Sequence, residues 1–248
     1  MTFHIITIFP DYFESPLKHG VIGKAISSGI IKIHPIDLRS FTSDKHRTTD
    51  DRPYGGGAGM VMIPGPLAKA ITTVKKGRKE IPVILFSPAG QTFNHKLAQK
   101  LSHHKELILI CGRYEGVDQR IIDNFVDMEI SIGDFVLTGG EPAALVLIDV
   151  VGRLIPGVLG SEESASDDSF ATGLLEHPHY TRPRRFMEMD VPQILLSGDH
   201  EKIKRWRRKK SLELTWKRRP ELLKEAKLSQ EDLKILAELG FYGDTKDE

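Results

Sequence analysis

A glycine-rich stretch, DDRPYGGGAGM at residues 50–60, places charged and aromatic side chains next to four glycines. Glycine has no Cβ, so its backbone can lie directly against a bound molecule. Arg52 and Tyr54 beside it suit a nucleotide, because a guanidinium binds phosphate oxygens and a tyrosine ring stacks on a base. The stretch therefore favours a ligand-binding loop over an inert turn.

The glycine loops do not match the two common nucleotide-binding motifs. A P-loop requires Gly-x-x-x-x-Gly-Lys-Ser/Thr. GGGAGM has no lysine, and GVIGKA has Ala25 where the magnesium-binding hydroxyl belongs. The dinucleotide fingerprint fails as well, since Met60 and Met62 occupy its last position. Neither ATP nor NAD binding is therefore supported by a motif.

Three further loops carry glycines directly after predicted strands. They are FSPAG (86–90), CGRYEG (111–116) and SIGDFVLTGGEP (131–142). Ligands of open parallel sheets bind at the carboxyl ends of the strands, so these loops could line one crevice. Each loop could instead be a separate turn that needs glycine for its own geometry. Three such loops together favour a shared binding site.

These loops belong to an alternating pattern of strands and helices. Because the strands are continuously apolar and helices intervene, we predict an α/β fold, a mostly parallel sheet with helices on both faces. Short apolar, β-branched runs predict strands at 3–9, 30–38, 81–86, 106–112 and 125–131. Helices are predicted at 12–28, 64–76, 93–103, 117–124 and 141–154.

The amino-acid composition of the sequence changes after residue 160. SEESASDDSFATG, residues 161–173, is small and polar and predicts a linker. We therefore predict an α/β domain at 1–160, a flexible linker at 161–175 and a small all-helical domain at 176–248. Helices in the last region are predicted at about 199–210, 211–218 and 229–239.

Composition excludes several classes of protein. The chain is 40% hydrophobic and 28% charged, as in globular proteins, and no apolar run reaches membrane-spanning length. The first residues do not have the pattern of a signal peptide. Cys111 is the only cysteine, which excludes an internal disulfide and a cysteine-based zinc site. A cytoplasmic location is expected.

Positive charge concentrates near the carboxyl terminus. Residues 200–220 contain ten basic residues and two acids, which favours a phosphate-binding surface over an ordinary solvated helix face. Trp206 and Trp216 are interleaved with these charges, and we predict that both lie in the small helical core. His177 and His179 have no partner cysteines, so no metal site is predicted there.

Six motifs resemble, in type and order, the TrmD family of bacterial tRNA (guanine-N1)-methyltransferases, which modify the guanine on the 3′ side of the anticodon (tRNA position 37). They are DDRPYGGGAGM, LILICGRYEGVDQR, SIGDFVLTGGE, IPGVLG, DDSF and HPHYTRP. The resemblance implies a SPOUT-class fold with a deep trefoil knot, an obligate homodimer, S-adenosylmethionine as methyl donor, and Mg²⁺ with unknown ligands. It also implies that the C-terminal domain binds the anticodon stem-loop of tRNA. No membrane and no DNA are expected as partners.

The resemblance assigns the methyl donor to the loops at the strand ends. Two positions depart from the family pattern. Ala89 replaces a common glutamine and removes a side-chain contact, and Pro142 stands one place early, so its donor contact is in doubt. The assigned donor-binding residues are Leu85, Phe86, Ser87, Pro88, Gly112, Tyr114, Ile132, Gly133, Asp134, Phe135, Val136, Leu137, Gly139 and Gly140.

The opening loop and the basic region are assigned to the tRNA. The first positions the target nucleotide, and the second contacts mostly phosphates. Tyr180 could touch the tRNA or only shape the entry to the domain. The assigned substrate-binding residues are Asp50, Arg52, Tyr54, Gly55, Gly57, Gly59, Arg182, Arg207, Arg208 and Lys217.

The catalytic group implied by the resemblance is Asp168, Arg153 and Glu115. N1 of guanine carries a proton, so a carboxylate base such as Asp168 must remove it before N1 can attack a methyl group. Arg153 would stabilise the negative charge that spreads to the guanine carbonyl oxygen. Glu115 would orient the amino edge of guanine or bind magnesium. The resemblance also implies that the donor and the guanine meet between two subunits.

Each of these residues also has a structural alternative. Asp168 could cap a helix that begins near Phe170, and its neighbour Asp167 is a rival base. Arg153 could pair with an aspartate one helical turn earlier, and Glu115 could be a surface acid. For the whole chain, the alternatives are a non-catalytic RNA-binding protein and a methyltransferase that acts at another RNA position.

Overall fold

The computed structural model describes residues 1–160 and 168–241, and the chain divides into two compact units, Met1–Glu162 and Glu163–Glu248. The first unit contains an α/β arrangement, and the second is mainly helical. No helix in the two described ranges is long and apolar enough to cross a lipid bilayer.

The described part of the first unit is built on a five-stranded sheet in the order β2-β1-β6-β5-β7, in which all neighbouring pairs are parallel. This confirms the predicted parallel α/β sheet. The strands are β1 (Thr2–Thr7), β2 (Lys32–Asp37), β3 (Asp50–Asp51), β4 (Val61–Met62), β5 (Val83–Thr92), β6 (Glu106–Ile110) and β7 (Met128–Ser131). The helices are α1 (Gly20–Ser27), α2 (Pro64–Lys75), α3 (His95–Ser102), α4 (Gln119–Phe125) and α5 (Glu141–Arg153). β3 and β4 form a separate antiparallel pair.

The two faces of the sheet bury two different sets of helices. Successive side chains of a strand point to opposite faces, and in β6 Leu107 and Leu109 join one core while Ile108 and Ile110 join the other. The first core contains buried residues of α1, α3 and α5, and the second contains those of α2 and α4. Helices therefore cover both faces, as the continuous apolar strands predict.

Two elements of the first unit differ from the prediction. β5 continues through FSPAG to Thr92, with a register shift against β7 between Phe86 and Gln91. A Cβ at Gly90 would lie 2.4 Å from the backbone of Glu129, so this pairing requires glycine. The helix predicted at 12–28 is instead two 3-10 turns and α1, because Pro10 and Pro16 each begin a new short turn.

The second unit contains α6 (His200–Arg218), α7 (Gln230–Glu238), 3-10 turns at Gln193–Leu196 and Pro220–Lys224, and a short antiparallel pair, β8 (Arg185–Phe186) and β9 (Met189–Asp190). The predicted pair of helices at 199–218 is one continuous helix. The hairpin was not predicted, because two-residue strands leave no periodic signal. The core of the second unit is formed by Leu174, Leu212, Leu223, Ile235 and Leu236.

Part of the predicted linker belongs to the folded second unit. Residues 161–167 lie outside the described residues. Leu174 is only 1% exposed, and the Leu175 N–H donates to the buried Thr215 hydroxyl over 2.9 Å. Residues 168–175 form turns that pack on α6, and no helix begins at Phe170 in this described segment.

A bidentate ion pair joins the two long helices of the second unit. Arg208 Nε and Nη2 donate to Asp232 Oδ1 and Oδ2 over 2.7 and 2.8 Å, and the Asp232 side chain is 6% exposed. Asp232 also completes a capping box with Ser229 at the start of α7. The Arg208 guanidinium, helped by Ser229, lowers the pKa of Asp232 to about 2 against the opposing effect of burial.

Asp232→Asn should make the second unit less stable near neutral pH. Because the folded pKa of about 2 lies below the ordinary aspartate value, the ionised group stabilises the fold above about pH 4, and this contribution is lost as the pH falls towards about 2. The variant should therefore unfold at a lower urea concentration than the wild type near pH 6. The difference between the two urea midpoints should become smaller at about pH 3. Trp206 and Trp216 both lie in this unit, so their fluorescence reports its unfolding.

Glu231→Gln is the matched control, because Glu231 forms an exposed ion pair with Arg205, and such pairs add little stability. If the difference in urea midpoint between the wild type and Asp232→Asn stays constant with pH, the role of the Asp232 charge is contradicted.

Candidate active site

An open cavity of about 470 Å³ lies at the carboxyl ends of β6 and β7 and along the middle of β5. Its walls come from segments 85–89, 112–117, 129–133 and 135–140. These segments include part of each of the three glycine-bearing stretches that the sequence predicts at strand ends. The structure therefore confirms that the three stretches contribute to one cavity, although FSPAG lies within β5 and Gly90 does not line the cavity.

The cavity gathers almost the whole predicted donor-binding set. Asp134 is the exception, since it lies in the third loop but does not line the cavity. Ala89 lines the cavity, whereas Pro142 does not and instead occupies the first turn of α5. The predicted residues that line it are Leu85, Phe86, Ser87, Pro88, Gly112, Tyr114, Ile132, Gly133, Phe135, Val136, Leu137, Gly139 and Gly140, together with the predicted catalytic residue Glu115.

Glycine is required where the second and third loops meet. The Gly140 N–H donates to the Gly112 carbonyl over 2.9 Å. A Cβ at Gly140 would lie 2.7 Å from Cys111 Cα, which is too close for any side chain. The two loops therefore lie backbone against backbone and fix one end of the cavity.

A buried ion pair that sequence reasoning missed connects these loops to the sheet. Glu141, at the start of α5, is fully buried and accepts hydrogen bonds from Arg113 Nε over 3.0 Å and from the Thr7 hydroxyl over 2.7 Å. Arg113 Nη2 lies 2.9 Å from the same carboxylate, and Nη1 donates to the Thr138 carbonyl over 3.2 Å. The negative charge also lies at a helix amino terminus, which stabilises it further. This network ties β1, the loop after β6 and the start of α5 together.

Cys111 lies beneath the same network and is fully buried. Burial, and to a lesser degree the charge of Glu141, raise the pKa of the Cys111 thiol well above its usual range. The thiol therefore stays protonated and unreactive. Its role is packing beneath the glycine loops.

The opening glycine loop is attached to the edge of the cavity. The Met62 N–H donates to the Gly116 carbonyl and the Glu115 N–H donates to the Met60 carbonyl, each over 2.9 Å. Gly59 lies against the Glu115 side chain, because a Cβ there would be 2.2 Å from Glu115 Oε1. Glu115 is thus both part of the cavity wall and a contact of the glycine-rich loop.

The rest of this loop is open to ligands. In the described structure, no atom lies within 4 Å of a Cβ built on Gly55, Gly56 or Gly57, and all three have positive φ. Tyr54 is completely exposed. Asp50 lies beside Tyr114, whose pKa is raised by partial burial and by the Asp50 carboxylate. The loop therefore projects an exposed ring and an unobstructed glycine backbone beside the cavity.

The other predicted catalytic residues lie on different units. Arg153 is the last residue of α5, and Asp168 lies in the turns that begin the described part of the second unit. Asp167, the rival base, lies outside the described residues.

Charge on α6 is partly neutralised within the second unit. Lys210 and Lys217 each donate to Glu213 over 2.7 Å, and they lower the pKa of Glu213 to about 2. Arg208 is held by Asp232, whereas Arg207 and Arg182 are exposed. Of the predicted phosphate-binding residues, some are therefore paired with carboxylates of the same unit, and others are exposed to solvent.

The prediction that both tryptophans occupy the helical core is right for Trp216 and wrong for Trp206. Trp216 packs against the core of the second unit. Trp206 contacts Tyr180, with ring centroids 6.3 Å apart. The sequence around Trp206 did not indicate its contact with Tyr180, because its neighbours in sequence are basic.

Comparison with known proteins decides the family. The family described as tRNA (Guanine-1)-methyltransferase TrmD matches residues 1–225. The chain belongs to the TrmD family. This confirms the resemblance that the six motifs indicate.

Curated relatives of this TrmD-family chain cover nearly its whole length, and each is named tRNA (guanine-N(1)-)-methyltransferase. The protein from Sulfurihydrogenibium sp. (strain YO3AOP1) is 54% identical over 236 residues, 95% of this chain and 92% of the relative. That from Dictyoglomus turgidum is 54% identical over 235 residues, 95% of each. That from Geobacter sulfurreducens is 53% identical over 244 residues, 98% of this chain and 100% of the relative.

Glu141→Gln should destabilise the first unit by about 3–5 kcal/mol, because it leaves the Arg113 charge without its buried partner. Faster hydrogen exchange of the β1 amides, measured by mass spectrometry, would report this loss. Arg113→Met combined with Glu141→Gln should recover part of the stability, since it removes the unpaired charge.

Asp123→Asn is the control, because Asp123 is an exposed carboxylate of the same unit that accepts a hydrogen bond from Gln119. If Glu141→Gln exchanges no faster than this control, the buried pair is not what holds β1 to α5.

Proposed function

We propose that this chain is an S-adenosylmethionine-dependent methyltransferase that methylates N1 of the guanine at tRNA position 37. The observation that carries the proposal is the glycine-walled cavity at the strand ends of a chain that belongs to the TrmD family. Its relatives' shared name, tRNA (guanine-N(1)-)-methyltransferase, supports the reaction and the substrate class.

The cavity suits a donor of this kind. Its volume of about 470 Å³ falls in the range of small-molecule sites. Apolar walls such as Leu85 and Ile130 suit a flat base, and the lack of a side chain at Gly112 and Gly140 lets a ligand lie close to the backbone. S-adenosylmethionine, when bound, supplies a methyl group on a positively charged sulfur.

The proposed catalytic roles belong to three side chains. Asp168 accepts the proton from N1 of guanine, which gives the nitrogen a lone pair that can attack. The Arg153 guanidinium stabilises the charge that develops on the guanine carbonyl oxygen. Glu115, between the cavity and the glycine-rich loop, orients the amino edge of the base or contributes an oxygen ligand to Mg²⁺, which prefers carboxylates and water.

The second unit and the oligomer complete the proposal. Exposed basic residues such as Arg207 and Arg182 would contact tRNA phosphates, which set affinity and register. The chain would act as the homodimer of its family, with a SPOUT-type knot in the first unit. The family match and the parallel sheet of the first unit support this assignment.

Nucleoside mass spectrometry of reacted transcripts tests the whole proposal. A transcript with guanine at position 37 should gain one N1-methylguanosine, and a transcript with that guanine replaced should gain none. Methylation of both would assign the activity to another position. S-adenosylmethionine should also raise the melting temperature, whereas a non-catalytic RNA-binding protein would show neither result.

Asp168→Asn should keep donor binding and lose turnover. Loss of a general base lowers the rate by about 100-fold or more, and the amide cannot accept the proton. Single-turnover methylation gives the rate, and the donor-induced melting shift gives binding. Asp167→Asn is the matched control and should stay near the wild-type rate; an unchanged rate in Asp168→Asn would remove Asp168 as the base.

Arg52→Ala should raise the KM for tRNA by about tenfold, the loss expected for one charge-assisted contact, without changing the donor-induced melting shift. Lys79→Ala, an exposed cation after α2, should leave both unchanged. Equal loss of tRNA use and donor binding in Arg52→Ala would show that the loop does not act on the substrate.

A further inference from the structure

Three side chains of metal-ligand type converge at residues 176–179 of the second unit. One carboxylate oxygen of Glu176 and one ring nitrogen each of His177 and His179 lie within 4.8 Å of one another. His179 Nε2 is 2.9 Å from Glu176 Oε1, and the two imidazole rings have centroids 4.7 Å apart. We propose that Glu176, His177 and His179 bind a divalent transition-metal ion of the zinc class.

The donor set selects the class of ion. Two imidazoles and one carboxylate suit Zn²⁺, Co²⁺, Ni²⁺ or Cu²⁺, whereas Mg²⁺ prefers oxygen ligands alone. The site is therefore separate from the Mg²⁺ that the family resemblance implies. The sequence prediction of no metal site here considered only cysteine partners, and the structure supplies a carboxylate instead.

The distances require only side-chain rotation. Zinc–nitrogen bonds of about 2.0–2.1 Å at tetrahedral angles place neighbouring ligand atoms about 3.3 Å apart. The three ligand atoms already lie within 4.8 Å. His179 is 66% exposed, so its ring can turn towards a common centre without displacing core atoms.

The backbone that carries the ligands is already held in place. The Glu176 N–H donates to Ser169 Oγ over 3.0 Å. The Leu175 N–H donates to the Thr215 hydroxyl of α6, and the Leu175 carbonyl accepts from the Ser211 hydroxyl of the same helix. Pro178 restricts the chain between the two histidines. Binding an ion would therefore order little backbone that is not ordered already.

One histidine has the partner that metal ligands commonly use. His177 Nδ1 lies 3.2 Å from the Pro178 carbonyl oxygen. When Nδ1 carries the proton and donates to that oxygen, the lone pair of Nε2 is available to an ion, an arrangement common among metal-binding histidines. An exposed ion pair between Glu176 and His179 alone would add little stability and does not account for His177. Three protein ligands leave a fourth position for water or a phosphate oxygen.

Titration of the full chain, without an affinity tag, with Co²⁺ tests the site. Tetrahedral cobalt absorbs visible light, so one equivalent of binding should produce a saturable band that added Zn²⁺ displaces. His177→Ala combined with His179→Ala should abolish the band, and Glu176→Gln should weaken binding by about tenfold or more. Zn²⁺ should raise the unfolding midpoint seen by tryptophan fluorescence in the wild type but not in the double variant.

The chain has ten histidines, so the control must test nonspecific binding. His46→Ala combined with His103→Ala removes two exposed histidines of the first unit and should leave the band unchanged. No saturable band, or a band that survives in His177→Ala/His179→Ala, would overturn the proposal. These readouts do not depend on methyl transfer, so they succeed or fail separately from the proposed reaction.

Discussion

The buried charge of Glu141 is the constraint on which the geometry of the cavity depends. A fully buried carboxylate without partners would be very costly, so Arg113 and Thr7 must both reach it. Thr7 ends β1, Arg113 lies in the loop after β6, and Glu141 begins α5. One electrostatic requirement therefore fixes the relative position of the carboxyl end of β1, a wall of the cavity and the helix that follows the third loop.

The glycines act together with this pair, each by permitting a contact that a side chain would prevent. Gly140 allows backbone contact with Gly112, and Gly59 allows the opening loop to lie against Glu115. The first contact closes one end of the cavity, and the second places the exposed Tyr54 loop beside it. The cavity and the exposed loop are thus joined through a single segment, residues 112–117.

Local patterns predicted the parts of the fold that local forces determine. The apolar runs gave the parallel sheet and its helices, and the rule that ligands lie at strand ends gave the three cavity loops. Contacts between distant residues were not predictable. Arg113 and Glu141 are 28 residues apart and each resembles a surface charge, while the length of β5 depends on its pairing with β7. The position of Trp206 was misjudged for the same reason, because its contact with Tyr180 comes from the folded arrangement.

The lysine and arginine pairs of α6 change what the basic stretch means for RNA. Ten basic residues in 200–220 suggest a highly charged face, yet Arg208, Lys210 and Lys217 already have carboxylate partners within the same unit. A cation that is neutralised by its own chain displaces fewer condensed ions when it meets a polynucleotide. If this helix binds RNA as proposed, its affinity should therefore depend less steeply on ionic strength than its composition suggests.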